Sequence, residues 1–360
     1  MVIMMFLAQR AHGQVIRRCL TNRTPSQPSS SNASRSRSGD GDGVVTLQFL
    51  HDDSVAVVTL QNPQRRNALS VSMMEQLDTH VQSLLQWSTN KTTTNNARAV
   101  ILTGSAGTFC SGLDLHDNSN DAIIATPPSI SANDATSTSS HNSSTSHLLR
   151  DGKNMLYHMT RVTNQLLSLP VLSISAIDGY AMGGGAELTT CTDLVVLSTN
   201  AKIQFVHAKR GASPGWGGLR RLVNKVGRER ALRMLLLGEC VLGEEEAKRT
   251  STTYADAVAN EGETALHATM RAVINPLLEL PCSQSIRAIK RAVSCADGDG
   301  EVMMGNNIDE TMKFDANIVM RGERDAFLSV WGGETNVEQI QKARDRIRRT
   351  HSGTPSINNV

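Results

Sequence analysis

PVLSISAIDGYAMGGGAELTTCTDLVVL, residues 170–197, and KIQFVHAKRGASPGWGG, residues 202–218, decide how this chain is read. Val171 to Ile177 is an apolar run of strand length. It enters a turn ending in Gly183, Gly184 and Gly185, after which Ala186, Glu187 and Leu188 take up helical spacing. A strand that hands glycines to a helix start handles anions well. The first helical N–H groups have no internal partner, the helix dipole adds partial positive charge, and glycine lets a ligand oxygen approach the main chain. Glycine also serves turn geometry alone, so this segment by itself leaves a structural role open.

A second segment repeats the arrangement. Ala99 to Thr103 reads as another buried strand and runs into GSAGTFCSGLDL, residues 104–115. Two small-residue turns in one domain can aim two backbone N–H groups at a single oxygen, which is what an oxyanion hole requires.

Two further motifs flank these: NPQRRNALS at 62–70 and GASPGWGGLRRLV at 211–223. With TFCSGLDL at 108–115 and DGYAMGGGAEL at 178–188 they occur in an order that resembles the crotonase (enoyl-CoA hydratase/isomerase) superfamily, from about Thr46 to the final helices. Within it the chain is most similar to the ethylmalonyl-CoA decarboxylases, through GGGAELTTCTDL, KIQFVH, PGWGG and ERDAFLSVWGG at 323–333. The resemblance implies an α/β fold with a crotonase-like ββα spiral core over 44–258. It also implies a C-terminal helical region over 259–350 that caps the site and builds a homotrimer or a dimer of trimers. The substrate it implies is an acyl-CoA thioester, with no metal and no cofactor besides the CoA of the substrate. Carried over position by position, the oxyanion donors fall on the N–H groups of Leu113 and Gly184, and the first catalytic glutamate on Glu187. Substrate and CoA contacts fall on Arg65, Arg66, Ala68, Leu113, Asp114, Leu115, His116, Gly183, Gly184 and Trp216.

One position departs from the hydratases. They place a second glutamate where a gap-free count back from Gly211 puts His207. One imidazole cannot replace a pair of carboxylates acting on one water, whereas decarboxylation of a malonyl-type thioester creates its own enolate and asks only for charge stabilisation and a proton. His207 is expected to steer the departing carboxylate or donate that proton, or to be a hydrogen-bonded histidine at a strand end. Glu187 is expected to deliver a proton or orient the acyl group, or to satisfy backbone donors at a helix start. The leading expectation is a carboxy-lyase acting on ethylmalonyl-CoA and, less well, methylmalonyl-CoA. An enoyl-CoA hydratase or isomerase of β-oxidation is the alternative. A third is an RNA-binding member of the superfamily, through Arg220, Arg221, Lys225, Arg228, Arg230 and Arg233, which otherwise form a solvated helical face.

Composition bounds the rest. The 360 residues are 39% hydrophobic and 3% aromatic, with a net charge of +2, so one core with tails fits and no strong pull toward nucleic acid or membrane is expected. Residues 1–43 contain six arginines before the first acid, Asp40, which is transit-peptide composition followed by a Ser-rich linker. The mitochondrial matrix is therefore the expected location, with the cytosol as the alternative. The six cysteines have no metal-finger spacing and are expected to be reduced, with Cys110 packing beside the site. Residues 116–150, rich in Ser, Thr, Asn and Asp, read as a disordered inserted loop. Val45–Leu50 and Val55–Leu60 alternate like paired strands, Ser70 can cap a helix, and helices are predicted over Met155–Ser168, Gly217–Val226, Arg228–Leu237, Glu261–Leu280, Ser283–Val293, Glu301–Val319 and Val337–Arg348, with a tail at 351–360. No strand is predicted after Glu244.

Overall fold

The computed structural model describes residues 43–89, 96–115, 152–250, 253–296, 327–331 and 333–352. The expectations for the basic N-terminal segment, for His116 and the rest of the insertion, for a helix over Glu301–Val319 and for the end of the tail lie outside the described residues.

Val55, Val57, Ala99, Ile101, Ile174, Ala176 and Val196 share one apolar cluster, while their strand neighbours Ala56, Val58, Leu60, Val100, Leu102, Ile177 and Leu197 belong to another. Alternation that buries both sets means a sheet covered on both faces, and parallel pairing follows from that. The sheet runs β1 (Val44–Leu50), β2 (Val55–Gln61), β3 (Ala99–Gly104), β4 (Leu172–Ile177), β6 (Leu194–Leu197) and β9 (Ala257–Val258). β1 and β2 are antiparallel around His51, Asp52 and Asp53, which all adopt positive φ, and every later pair is parallel. A second, three-stranded sheet joins β5 (Tyr180–Met182), β7 (Lys202–Gln204) and β8 (Val241–Leu242), with β5 parallel to β7.

One face is covered by α1 (Val71–Thr89) and α2 (Gly152–Leu167). Ser70 Oγ accepts the Met73 N–H at 3.2 Å, so the predicted cap starts α1. Asp78 pairs with Arg161 at 2.7 Å and Gln82 bonds Gln165 at 2.8 Å, which fixes α1 and α2 in parallel register. Beyond the short α5 (Gly243–Glu246), the other face packs on α6 (Ala265–Thr269) and the helical turns that follow it to α7 (Asn275–Leu278). α8 (Ser283–Ala296) is tied to the sheet by Lys290, whose Nζ reaches Val171 O and Asp193 Oδ2, each at 2.7 Å. α9 (Glu334–Ser352) closes the described chain.

One correction follows. β9 is a strand beyond Glu244: its two residues complete the pairing of β6, too short a stretch for periodicity to reveal. The helices predicted as Gly217–Val226 and Arg228–Leu237 are both present and run together as α4 (Gly218–Leu232), the second continuing into a wide turn at 233–237. The expected break survives as a kink, because Gly227 takes φ 78° and ψ 160° inside it.

Candidate active site

The two small-residue turns meet. Cys110 and Ala181 form a parallel bridge, with the Cys110 N–H donating to Tyr180 O and the Met182 N–H to Cys110 O, each at 2.9 Å. Continued by one rung, that ladder would bring the Gly184 N–H to Gly112 O. Gly112 instead turns at φ 95°, and its carbonyl accepts the Leu69 N–H at 2.7 Å. The strands therefore part at this point and leave the Gly184 N–H without an acceptor among the described residues.

Leu113 is freed by the same geometry. Leu69 bonds Gly112 O and the Asp114 N–H in a parallel bridge centred on Leu113, so the N–H of Leu113 points to the opposite edge, away from Leu69. Gly183 donates to Gln204 O at 3.1 Å, so Gly184, one residue on, faces away from β7. A β-carbon on Gly112 would lie 2.8 Å from Met182 O and 3.2 Å from Gly184 N, so the turns touch and only glycine fits between them.

Asn67 holds this pair in place. Its Nδ2 donates to Ser105 O at 2.9 Å and Thr108 O at 2.6 Å, while its Oδ1 accepts the Asn62 N–H at 2.8 Å. The φ of 55° at Asn67 is one that asparagine tolerates better than most residues.

α3 (Gly184–Leu188) carries Glu187, 1% exposed. Its carboxylate accepts four hydrogen bonds: Gly215 N at 3.2 Å and His207 Nε2 at 3.1 Å on Oε1, and Trp216 N at 2.8 Å and Gly218 N at 3.1 Å on Oε2. Glu187 thus anchors both the PGWGG loop and the first turn of α4. His207 follows β7 and begins a short 3-10 turn, and its buried Nδ1 has no hydrogen-bond partner among the described residues. A buried polar atom left unpaired costs about 1–3 kcal/mol, so this nitrogen is a place where a ligand group is favoured.

Trp216 is 4% exposed and its ring lies over Gly184. Thr160 Oγ1 donates to Gly215 O at 3.0 Å, and Trp216 O accepts Thr163 Oγ1 at 2.7 Å and Arg221 Nη2 at 2.6 Å. Sequence reading missed Asn67, Thr160, Thr163 and Arg221 as supports of the site. They act through single hydrogen bonds across long separations, which leave no local pattern.

The remaining expected contacts are distributed as follows. Ala68 and Asp114 are buried, Leu115 is exposed, and Gly183 adopts φ 55° at the head of α3. Arg65 O accepts Ser111 Oγ at 3.0 Å, and the exposed Arg66 lies 5.8 Å from the Tyr180 ring centroid. Arg65 and Arg66 thus border the turn that bears Leu113. Cys110 is buried against this turn, and burial pushes its thiol up to about 12, which suits packing and not nucleophilic attack. The basic cluster does not form a continuous face. Arg221 is buried, and Lys225, Arg230 and Arg233 pair with Asp256, Glu246 and Glu239.

The enoyl-CoA hydratase/isomerase family model matches residues 51–140 and 142–296. An ethylmalonyl-CoA decarboxylase from Danio rerio is 35% identical over 89% of this chain and 90% of its own length. The Homo sapiens protein of that name is 29% identical over 83% and 81%. Among solved structures, an enoyl-CoA hydratase from Bacillus anthracis superposes with a TM-score of 0.60 at 19% identity, covering 85% of this chain and 97% of that one, a likeness of fold. A putative enoyl-CoA hydratase from Thermobifida fusca in complex with CoA gives 0.58 at 25% identity, over 83% and 94%.

Proposed function

The chain belongs to the enoyl-CoA hydratase/isomerase family, and from that premise we propose that it releases CO₂ from ethylmalonyl-CoA, and less readily from methylmalonyl-CoA. The family fold and the named relatives support an enzyme that processes acyl-CoA. The finer reading rests on the site. The thioester oxygen is held by the N–H groups of Leu113 and Gly184. When the bond from the α-carbon to the carboxylate breaks, the electron pair moves into an enolate whose charge falls on that oxygen. One such donor is worth about 3 kcal/mol in the transition state.

The observation that carries the reading is the 3.1 Å contact between His207 Nε2 and Glu187 Oε1. Where a hydratase of the resemblance has a second carboxylate, this site has an imidazole bound to the first. Glu187 already accepts three backbone N–H groups, so a paired set of carboxylates for activating water is not formed. Decarboxylation needs no such pair. The chemistry uses no cofactor beyond the CoA of the substrate.

Two further readings belong to this proposal. Exposed Ile289 and Val293 on α8, and the exposed Phe327 and Trp331, whose rings stack at 4.9 Å, support subunit contacts in a trimer or a dimer of trimers. The arginine-rich, acid-free start of the chain supports import into the mitochondrial matrix. Mass spectrometry of the products tests the reaction: purified protein converts ethylmalonyl-CoA to butyryl-CoA. Unchanged substrate after long incubation with folded protein contradicts it.

A further inference from the structure

We propose that Glu187 is a positioning residue that fixes His207 in one tautomer, and that Nδ1 of His207 delivers the proton that completes the reaction. The first half stands on geometry alone. Glu187 has no oxygen to spare: each accepts two donors, and three of the four donors are peptide N–H groups that cannot become acceptors. A carboxylate held this way has no proton to give. It therefore requires the hydrogen of the neutral imidazole to be on Nε2, which leaves Nδ1 with its lone pair, buried and without a partner.

Nδ1 and Nε2 point in different directions from the ring, so Nδ1 is directed away from Glu187 and left unpartnered among the described residues, and the proposed reaction puts the substrate's α-carbon against it. His207 is also tied to the oxyanion turn from two directions. Glu187 is three residues beyond Gly184 on α3, and a β-carbon on Gly183 would lie 3.4 Å from Val206 Cγ2.

The second half rests on the decarboxylation reading. In the protonated ring, Nε2–H bonds Glu187 and Nδ1–H faces the substrate. CO₂ departs, the electron pair of the broken bond passes into the enolate, and the Nδ1 proton forms the new C–H bond at the α-carbon. The ring is left as the neutral Nε2–H tautomer that Glu187 favours, and solvent returns one proton. One substrate and one proton give one acyl-CoA and one CO₂, with no oxidant or reductant.

Two measurements test this. In protein labelled with ¹⁵N at histidine, the neutral form of the His207 ring should carry its hydrogen on Nε2. In Glu187→Gln the amide keeps its oxygen toward the shorter Trp216 contact and turns its NH₂ toward His207, which then moves its hydrogen to Nδ1. A neutral wild-type ring with its hydrogen on Nδ1, or an unchanged tautomer in the folded variant, overturns the positioning role. Should Glu187→Gln not fold, the wild-type tautomer decides. The second measurement is turnover of ethylmalonyl-CoA in D₂O. Wild type should place one deuterium at the α-carbon in a single configuration, whereas His207→Gln should release CO₂ more slowly and give both configurations. A single configuration from His207→Gln overturns proton delivery by Nδ1. If wild type releases no CO₂ from ethylmalonyl-CoA, the proposed reaction and its proton step fall together, and the tautomer measurement still decides the role of Glu187.

Discussion

A β-carbon on Gly184 would lie 2.4 Å from both Cη2 and Cζ3 of Trp216, so the oxyanion turn and the indole cannot both keep their places if residue 184 gains a side chain. Gly184 has no positive φ, so the clash and not backbone strain sets the cost. Gly184→Ala is predicted to lower turnover of the preferred acyl-CoA by about 10²–10³-fold, the loss typical of one displaced oxyanion donor. Adding Trp216→Leu removes the obstructing ring and should recover part of the loss. Steady-state rates for the two single variants and the double variant measure the coupling, and purely additive losses would count against the contact.

Glu187→Ala should destabilise the fold by about 3 kcal/mol or more, because two buried backbone donors and a partly buried one lose their acceptor together. Glu187→Gln keeps one acceptor oxygen and should lose less. Urea unfolding of the three proteins ranks them, and equal stabilities would show that the PGWGG loop does not depend on this carboxylate.

Glu246 has a comparable role away from the site. Its buried carboxylate meets Arg230 Nη2 at 2.7 Å and Arg249 Nε at 3.0 Å, and it accepts the N–H groups of Tyr254 and Ala255. Glu246→Gln removes the charge from the buried pair with Arg230 and is predicted to cost about 3–5 kcal/mol in chemical denaturation.

Burial raises the thiol of Cys110 from 9.0 to about 12 and that of Cys191 to about 11. A folded pKa above the unfolded one means that the folded state holds the proton longer. The associated stability is fully present below pH 9 and is lost as pH rises from 9 toward these values. Each thiol should contribute a loss of at most about 1.4 kcal/mol per pH unit in that window. Unfolding curves on either side of pH 9 should therefore diverge more for wild type than for Cys110→Ala/Cys191→Ala, and an identical pH dependence would refute the assignment.

Much of this site was legible in the sequence. The apolar runs 99–103 and 171–177 predicted β3 and β4, and the two small-residue turns after them, read as able to aim backbone N–H groups at one point, are adjacent in the structure. The count back from Gly211 gave His207 the place of the hydratases' second glutamate, and its Nε2 lies 3.1 Å from Glu187. Such features repeat over a few residues or stand at fixed spacing. Of the second sheet only β7 was legible, as the short strand read over Ile203–Val206 that ends at His207; β5 and β8 have three and two residues and owe their form to their neighbours. Nor was the tight hold on Glu187 by the PGWGG loop, since its backbone N–H donors are the same atoms in every sequence. Asn67 lay inside a recognised motif, but its bonds to Ser105 and Thr108 depend on a left-handed φ that only the folded chain displays.

The central claim is that two backbone donors with one carboxylate and one imidazole suit enolate formation by loss of CO₂ and not addition of water. One preparation of the purified chain, offered ethylmalonyl-CoA and crotonyl-CoA at matched concentrations, tests it by initial rates of CO₂ release and of hydration. The account predicts rapid CO₂ release with butyryl-CoA as product, and slow hydration. Rapid hydration of crotonyl-CoA, with no CO₂ from either ethylmalonyl-CoA or methylmalonyl-CoA, would contradict it.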